Sequence, residues 1–166
     1  SNSQATANLR EETEKRGIAA NRLVFAPPLD LPEHLARHAQ ADLFLDTLPY
    51  NAHTTASDSL WTGVPLVTCP GDNFCGRVAA SLLRAVGLPE LVTQNLDEYE
   101  SLALRLAKEP ETLASIRHRL AQNRKTHALF DSDRFRRHIE CAYTTMWEQW
   151  LRGEAPRGFS VEPIER

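Results

Sequence analysis

Cysteine is scarce in this sequence: three in 166 residues, at Cys69, Cys75 and Cys141. Scattered in this way they build neither a disulfide framework nor a zinc site, and a reduced, cytoplasmic setting is the expectation. No apolar run approaches the roughly 20 residues that a membrane-spanning helix needs. The opening residues, Ser1 to Asn8, are polar, so no signal peptide is visible and no membrane role is expected. Positive charge is not in excess either: 19 Lys and Arg stand against 22 Asp and Glu, a net charge of −3. Nucleic acid is thereby excluded as the main partner, because neutralising phosphates takes a basic face. There is no GxGxxG, no Walker loop and no serine nucleophile elbow. His118, His127 and His138 lack metal-ligand spacing, and no metal is expected. Internal repeats and low-complexity segments are absent as well.

What remains is an ordinary globular composition, 42% hydrophobic and 25% charged, long enough for one domain with a real core. Ser3 to Arg16 reads as a polar helix closed by Gly17. Arg22 to Ala26 is a short apolar run stopped by Pro27 and Pro28, and is expected to be a strand. Asp30 to Glu33 offers a capping box for a helix through Gln40. Leu43 to Asp46 is a second strand, followed by a loop and a helix from about Ala56 to Thr62, closed by Gly63. Pro65 to Cys69 is a third strand, Gly76 to Val86 a helix ended by Gly87, and Leu91 to Thr93 a short fourth strand. Helices over Leu96–Lys108, Glu111–Arg124 and Ser132–Leu151 follow. Residues 1–152 are expected to form one domain, and 153–166 a flexible tail.

Apolar strands alternating with helices predict an α/β fold: a Rossmann-like parallel sheet flanked by helices. Such sheets bind ligands beyond the carboxyl ends of their strands. The loops to inspect are therefore Pro27 to Glu33, Thr47 to Thr55 and Pro70 to Cys75. In the second of these, small and hydroxyl residues (Asn51 to Asp58) sit where loop becomes helix. A helix start carries unpaired N–H groups and a partial positive charge, which suits a pyrophosphate. Thr54 and Thr55 would add hydroxyl donors, and Asp58 would accept from a ribose hydroxyl. Thr55 and Asp58 also have the spacing of a capping box, which needs no ligand.

His34 and Arg37, three residues apart, share one helix face, with His38 close by. An Arg plane stacks on a base and its charge faces a diphosphate; a solvated helix face is the alternative. Pro70 to Asn73 reads as a turn, and Arg77 stands in the first turn of the next helix, where a cation points to an anionic neighbour or to a salt bridge with Asp72. Trp61 is expected in the core, and Trp147 and Trp150 against the sheet or another domain. Arg134, Arg136 and Arg137, offset by nearby acids, read as a solvated face.

Several blocks resemble the O-GlcNAc transferases. They are Arg22 to Pro27, Glu33 to Arg37, Ala41 to Thr47, His53 to Pro65, Pro70-Gly71, Arg77 to Leu82 and, in the last helix, Tyr143 to Trp147. The similarity covers about residues 8–152 and is nearest to the bacterial members. It implies the C-terminal domain of a GT-B glycosyltransferase, lacking its first strands, with UDP-GlcNAc as donor and Ser or Thr of a protein as acceptor. It implies inversion without a metal ion or cofactor. It also implies that backbone groups of Leu29, Asp30 and Leu31 meet the uracil, His34 and Arg37 line the uridine site, and His53, Thr54 and Thr55 hold the diphosphate. Asp58 would hold the ribose.

Leu31 stands where that family commonly has Lys, and Asp30 where it often has Pro. By the resemblance, catalytic bases and a lysine on the leaving diphosphate lie outside this chain, in a missing N-terminal catalytic half. The chain alone is expected to be inactive, and an inner strand of its sheet to be covered by another segment or by self-association through the open edge. Two other readings remain: a GT-B enzyme with another sugar or a small-molecule acceptor, and a non-catalytic interaction module.

Overall fold

Helix signals dominate the chain, and the computed structural model, which describes residues 2–164, is correspondingly helical. The chain divides into two units, 1–37 and 38–166.

In the first unit, α1 (Ser3–Lys15) starts where the Asn2 side chain accepts from the N–H groups of Gln4 and Ala5. That satisfies two of the donors a helix start leaves open. Lys15 pairs with Glu11 and Glu12, and Arg16 with Glu12, at the helix end. None of the residues of α1 is buried, as its polar sequence requires. After a 3₁₀ turn at Ala20–Arg22, the expected strand does not form. Leu23 is extended (φ −85°, ψ 112°), yet the described residues of its unit hold no strand to pair with it, and a ladder takes two. Val24 is left 86% exposed. The helix α2 (Leu31–His38) opens with a bond from the His34 N–H to the Asp30 carbonyl, 2.8 Å, and ends two residues before the expected Gln40.

In the second unit, β1 (Phe44–Leu45) and β2 (Leu66–Val67) pair in parallel, Phe44 opposite Leu66 and Leu45 opposite Val67. The expected fourth strand shrinks to one parallel bridge, Thr68 to Val92, because a 3₁₀ turn at Pro89–Leu91 occupies its start. Around this small sheet lie α3 (Thr54–Thr62), α4 (Val78–Ala85), α5 (Leu96–Lys108), α6 (Pro110–Thr126) and α7 (Ser132–Leu151). The core joins Ala56 and Leu60 of α3, Leu66 and Val67 of β2, Ala79 and Leu83 of α4, Leu106 of α5, and Ile116 and Leu120 of α6. Each fully buried leucine contributes about 1.5–3 kcal/mol.

Trp61 departs from expectation. It is 53% exposed, because α3 spends its inward face on Ala56, Ser59 and Leu60. Its ring meets Phe130 edge-on at 5.2 Å, while Arg124 sits over it and donates to its carbonyl. Trp147 and Trp150 are also exposed and stack on each other at 4.8 Å. The arginines of α7 behave as expected: Arg136 pairs with Asp133 and Glu140, and Arg137 with Asp133. Beyond α7, residues 153–164 carry no regular element, but the Ile164 N–H donates to Nε2 of His138. Among the described residues β1 has a strand on one side only, and its Leu45 is 54% exposed.

Candidate functional site: the start of helix α3

The loop between β1 and α3 lies beyond the carboxyl end of a parallel strand, where α/β sheets place ligands. The helix after it begins at Thr54, two residues earlier than the sequence suggests. Its N-cap residue is His53, and no side chain caps it. The first helical bond runs from the Ser57 N–H to the His53 carbonyl, 3.1 Å. Thr55 is thus the second residue inside the helix, so Thr55 and Asp58 do not form a capping box. The N–H groups of Thr54, Thr55 and Ala56 precede the first helical bond and face the helix's positive end. Thr54 and Thr55 are exposed and Asp58 is half-buried one turn further in.

His53 is braced. Its Nε2 lies 3.2 Å from the Cys75 carbonyl, and its ring stacks on Tyr50 at 4.9 Å and meets Phe74 edge-on at 6.2 Å. A carbonyl only accepts, so Nε2 carries the proton. The same carbonyl accepts from the Asn51 N–H at 3.0 Å, binding the 47–53 loop to the 70–76 turn. The two loops also meet at Gly76, where a Cβ would stand 3.1 Å from the Pro49 carbonyl oxygen and 3.2 Å from Cα of Gly71. Asn73 folds the turn by accepting from the Gly76 N–H at 2.7 Å. Arg77, ahead of α4, donates from Nε to the Asn73 carbonyl at 3.1 Å, and among the described residues it forms no ion pair with Asp72.

Beneath the loop lies Asp46, only 4% exposed. Its carboxylate accepts from the N–H groups of Thr47 and Ala52 and from the Thr68 hydroxyl. Its carbonyl accepts from the Tyr99 hydroxyl at 2.8 Å. Burial pushes the Tyr99 phenol above its ordinary range, and the nearby Asp46 charge pushes in the same direction. Asn51, 1% exposed, donates from Nδ2 to the Thr47 carbonyl. Sequence reasoning passed over Asp46, Tyr50 and Phe74. An aspartate closing a strand and two aromatics in loops carry no local signal of this arrangement.

The remaining sequence-derived residues fall in the first unit. Arg37 donates from Nη1 to the Pro27 carbonyl at 2.7 Å, and its Nη2 lies 3.1 Å from Nδ1 of His34. A guanidinium has no acceptor, so Nδ1 of His34 is the accepting nitrogen. Arg37 is therefore a half-buried, braced cation and not a solvated one. Leu29, Asp30 and Leu31 are exposed at the entry to α2.

A parallel β–loop–α unit with an uncapped, hydroxyl-bearing helix start is where α/β folds place anionic ligands. The chain belongs to glycosyl transferase family 41, which matches residues 2–139. It is 37% identical over 150 residues to a UDP-N-acetylglucosamine–peptide N-acetylglucosaminyltransferase of Caenorhabditis elegans, covering 90% of this chain and 13% of that protein. It is 36% identical over 147 residues to a probable enzyme of the same name, SEC, of Arabidopsis thaliana, covering 88% of this chain and 15% of the other. A solved mutant O-GlcNAc transferase of Thermobaculum terrenum superposes with a TM-score of 0.84 at 36% identity, over 93% of this chain and 30% of that one. The α/β, GT-B-type fold expected from the sequence is thus the fold found. The chain spans between 13% and 30% of the length of these proteins.

Proposed function

We propose that this chain is the donor-binding part of a protein O-GlcNAc transferase, with UDP-GlcNAc as donor. The carrying observation is the uncapped start of α3, with Thr54 and Thr55 exposed and His53 braced from Cys75. On this reading His53, Thr54 and Thr55 take the diphosphate and Asp58 the ribose. His34 and Arg37 line the uridine, and the backbone of Leu29, Asp30 and Leu31 meets the uracil. The exposed apolar side chain of Leu31 fits a backbone contact better than a charged one.

The reaction is an inverting transfer. The oxygen of an acceptor Ser or Thr attacks the anomeric carbon, the bond from that carbon to the diphosphate breaks, and UDP leaves. The acceptor's proton passes to a base, which the family resemblance places outside these residues. Negative charge grows on the departing diphosphate, and amides already aimed at it at the α3 start stabilise the transition state without a metal. The bacterial-type likeness and three free cysteines favour a reduced, cytoplasmic setting. No helix among the described residues is long and apolar enough to cross a membrane. The open side of β1 suits a further strand, from a longer polypeptide or from a second copy.

Calorimetric titration of UDP into the chain tests the reading. Weak, saturable heat is expected, and Thr55→Ala combined with Asp58→Ala should weaken binding by at least about tenfold, the worth of one charge-assisted hydrogen bond. Equal binding by the double variant would overturn the placement.

A further inference from the structure

We infer that Asp46 is the positioning residue of this site: its buried carboxylate clamps the 47–52 loop and so fixes the start of α3. The inference rests on the diphosphate reading above and adds the group that holds that helix start in place.

The clamp is built from three bonds to one carboxylate. Oδ1 accepts from the Thr47 N–H at 2.9 Å and from the Ala52 N–H at 2.7 Å, so a single oxygen holds both ends of the loop. Oδ2 accepts from the Thr68 hydroxyl at 2.6 Å, which ties the loop to the residue following β2. The backbone of Asp46 is fixed as well, donating to the Val67 carbonyl at 3.1 Å and accepting from Tyr99. Thr68 is anchored in turn: its N–H donates to Leu91, and its carbonyl accepts from both the N–H and the hydroxyl of Thr93. Ala52, the far end of the clamp, directly precedes the N-cap His53.

A buried carboxylate costs stability unless hydrogen-bond donors surround it, and these three supply them. Asp46 forms no ion pair among the described residues. Of its three partners Thr68 is buried and Ala52 half-buried, so removing the carboxylate would leave the Thr68 hydroxyl and the Ala52 N–H without an acceptor, while Thr47 is exposed. The loop it closes contains Leu48, Pro49 and Tyr50, all exposed, and is held further by bonds from the Thr47 hydroxyl to the Tyr50 carbonyl and from Asn51 Nδ2 to the Thr47 carbonyl. Core packing of Ala56 and Leu60 seats the body of α3, and the clamp at Ala52, with the Cys75 carbonyl, sets the backbone that enters it.

The test compares Asp46→Ala, Asp46→Asn and a core control, Leu120→Ala, by UDP titration, thermal midpoint and amide hydrogen exchange. An Asn retains Oδ1 for both amides, and the Thr68 hydroxyl turns to accept from its Nδ2. Asp46→Ala should speed exchange at Ala52 and Thr54 to Ala56, and weaken UDP, each by about tenfold or more. Asp46→Asn should restore both to within about threefold of the unaltered chain. Leu120→Ala should lower the midpoint and leave UDP affinity unchanged well below it. Should Asp46→Ala fail to fold, Thr68→Val, which removes only the Oδ2 donor, takes its place with the same expectations. Unaltered exchange and affinity in Asp46→Ala, or equal weakening by Leu120→Ala, would overturn the inference alone. A chain that binds no UDP would overturn the donor reading and the inference with it.

Discussion

At Gly87 the backbone has φ +75°, and a Cβ there would stand 2.4 Å from Nε2 of the His127 ring. Asn123 donates to the carbonyls of Val86 and Gly87 at 2.9 and 3.3 Å, so the turn after α4 is held firmly. Gly87→Ala should lower the unfolding free energy by about 2 kcal/mol, measured by urea titration. Tyr99 makes a pH prediction. Its folded pKa is raised above 10.0, so its contribution to stability is complete below that pH and is lost as pH rises through the folded value. Stability should fall on the alkaline side, and Tyr99→Phe should flatten that limb of the curve. At this scale the turn glycines were legible because φ leaves them little alternative. Thr54, Thr55 and Asp58 were legible as helix-start chemistry. Asp46 was not, because a carboxylate's burial depends on Ala52 and Thr68, which only folding brings to it.

Helices read well from sequence and strands poorly, for one reason. The signals that bound α5 and α7 are local: Asn95 accepts from the Glu98 N–H, and Asp131 from the Arg134 N–H. Both helices have the bounds that their sequence suggests. A strand depends on a neighbour, so Arg22 to Ala26, apolar as it is, forms none, and Leu91 to Thr93 forms a single bridge. Helix faces are also decided in three dimensions, which is why Trp61 points outward. Core and surface should therefore respond differently. Leu106→Ala, fully buried on α5, should cost about 2–5 kcal/mol. Trp150→Ala on the exposed face of α7 should cost under about 1.5 kcal/mol, the worth of its stack on Trp147. Chemical denaturation of both variants checks the contrast.

For the whole molecule, membership of glycosyl transferase family 41 sets the family of chemistry, and the proposed reading of the site gives this chain a donor-binding share in it. On the proposed reading the residues at the α3 start bind and orient a nucleotide, and the base that takes the acceptor's proton lies outside this chain. Incubated alone with UDP-GlcNAc and a protein acceptor, the chain should transfer no sugar, and transfer detected by mass spectrometry would refute this division of labour. On the proposed reading the uncapped start of α3 receives the diphosphate. Backbone amide resonances, followed during titration with UDP and separately with uridine, test it most directly. With the diphosphate at this helix start, Thr54, Thr55 and Ala56 should shift with UDP and stay still with uridine. Shifts at these amides with both ligands, or with neither while UDP binds, would contradict it.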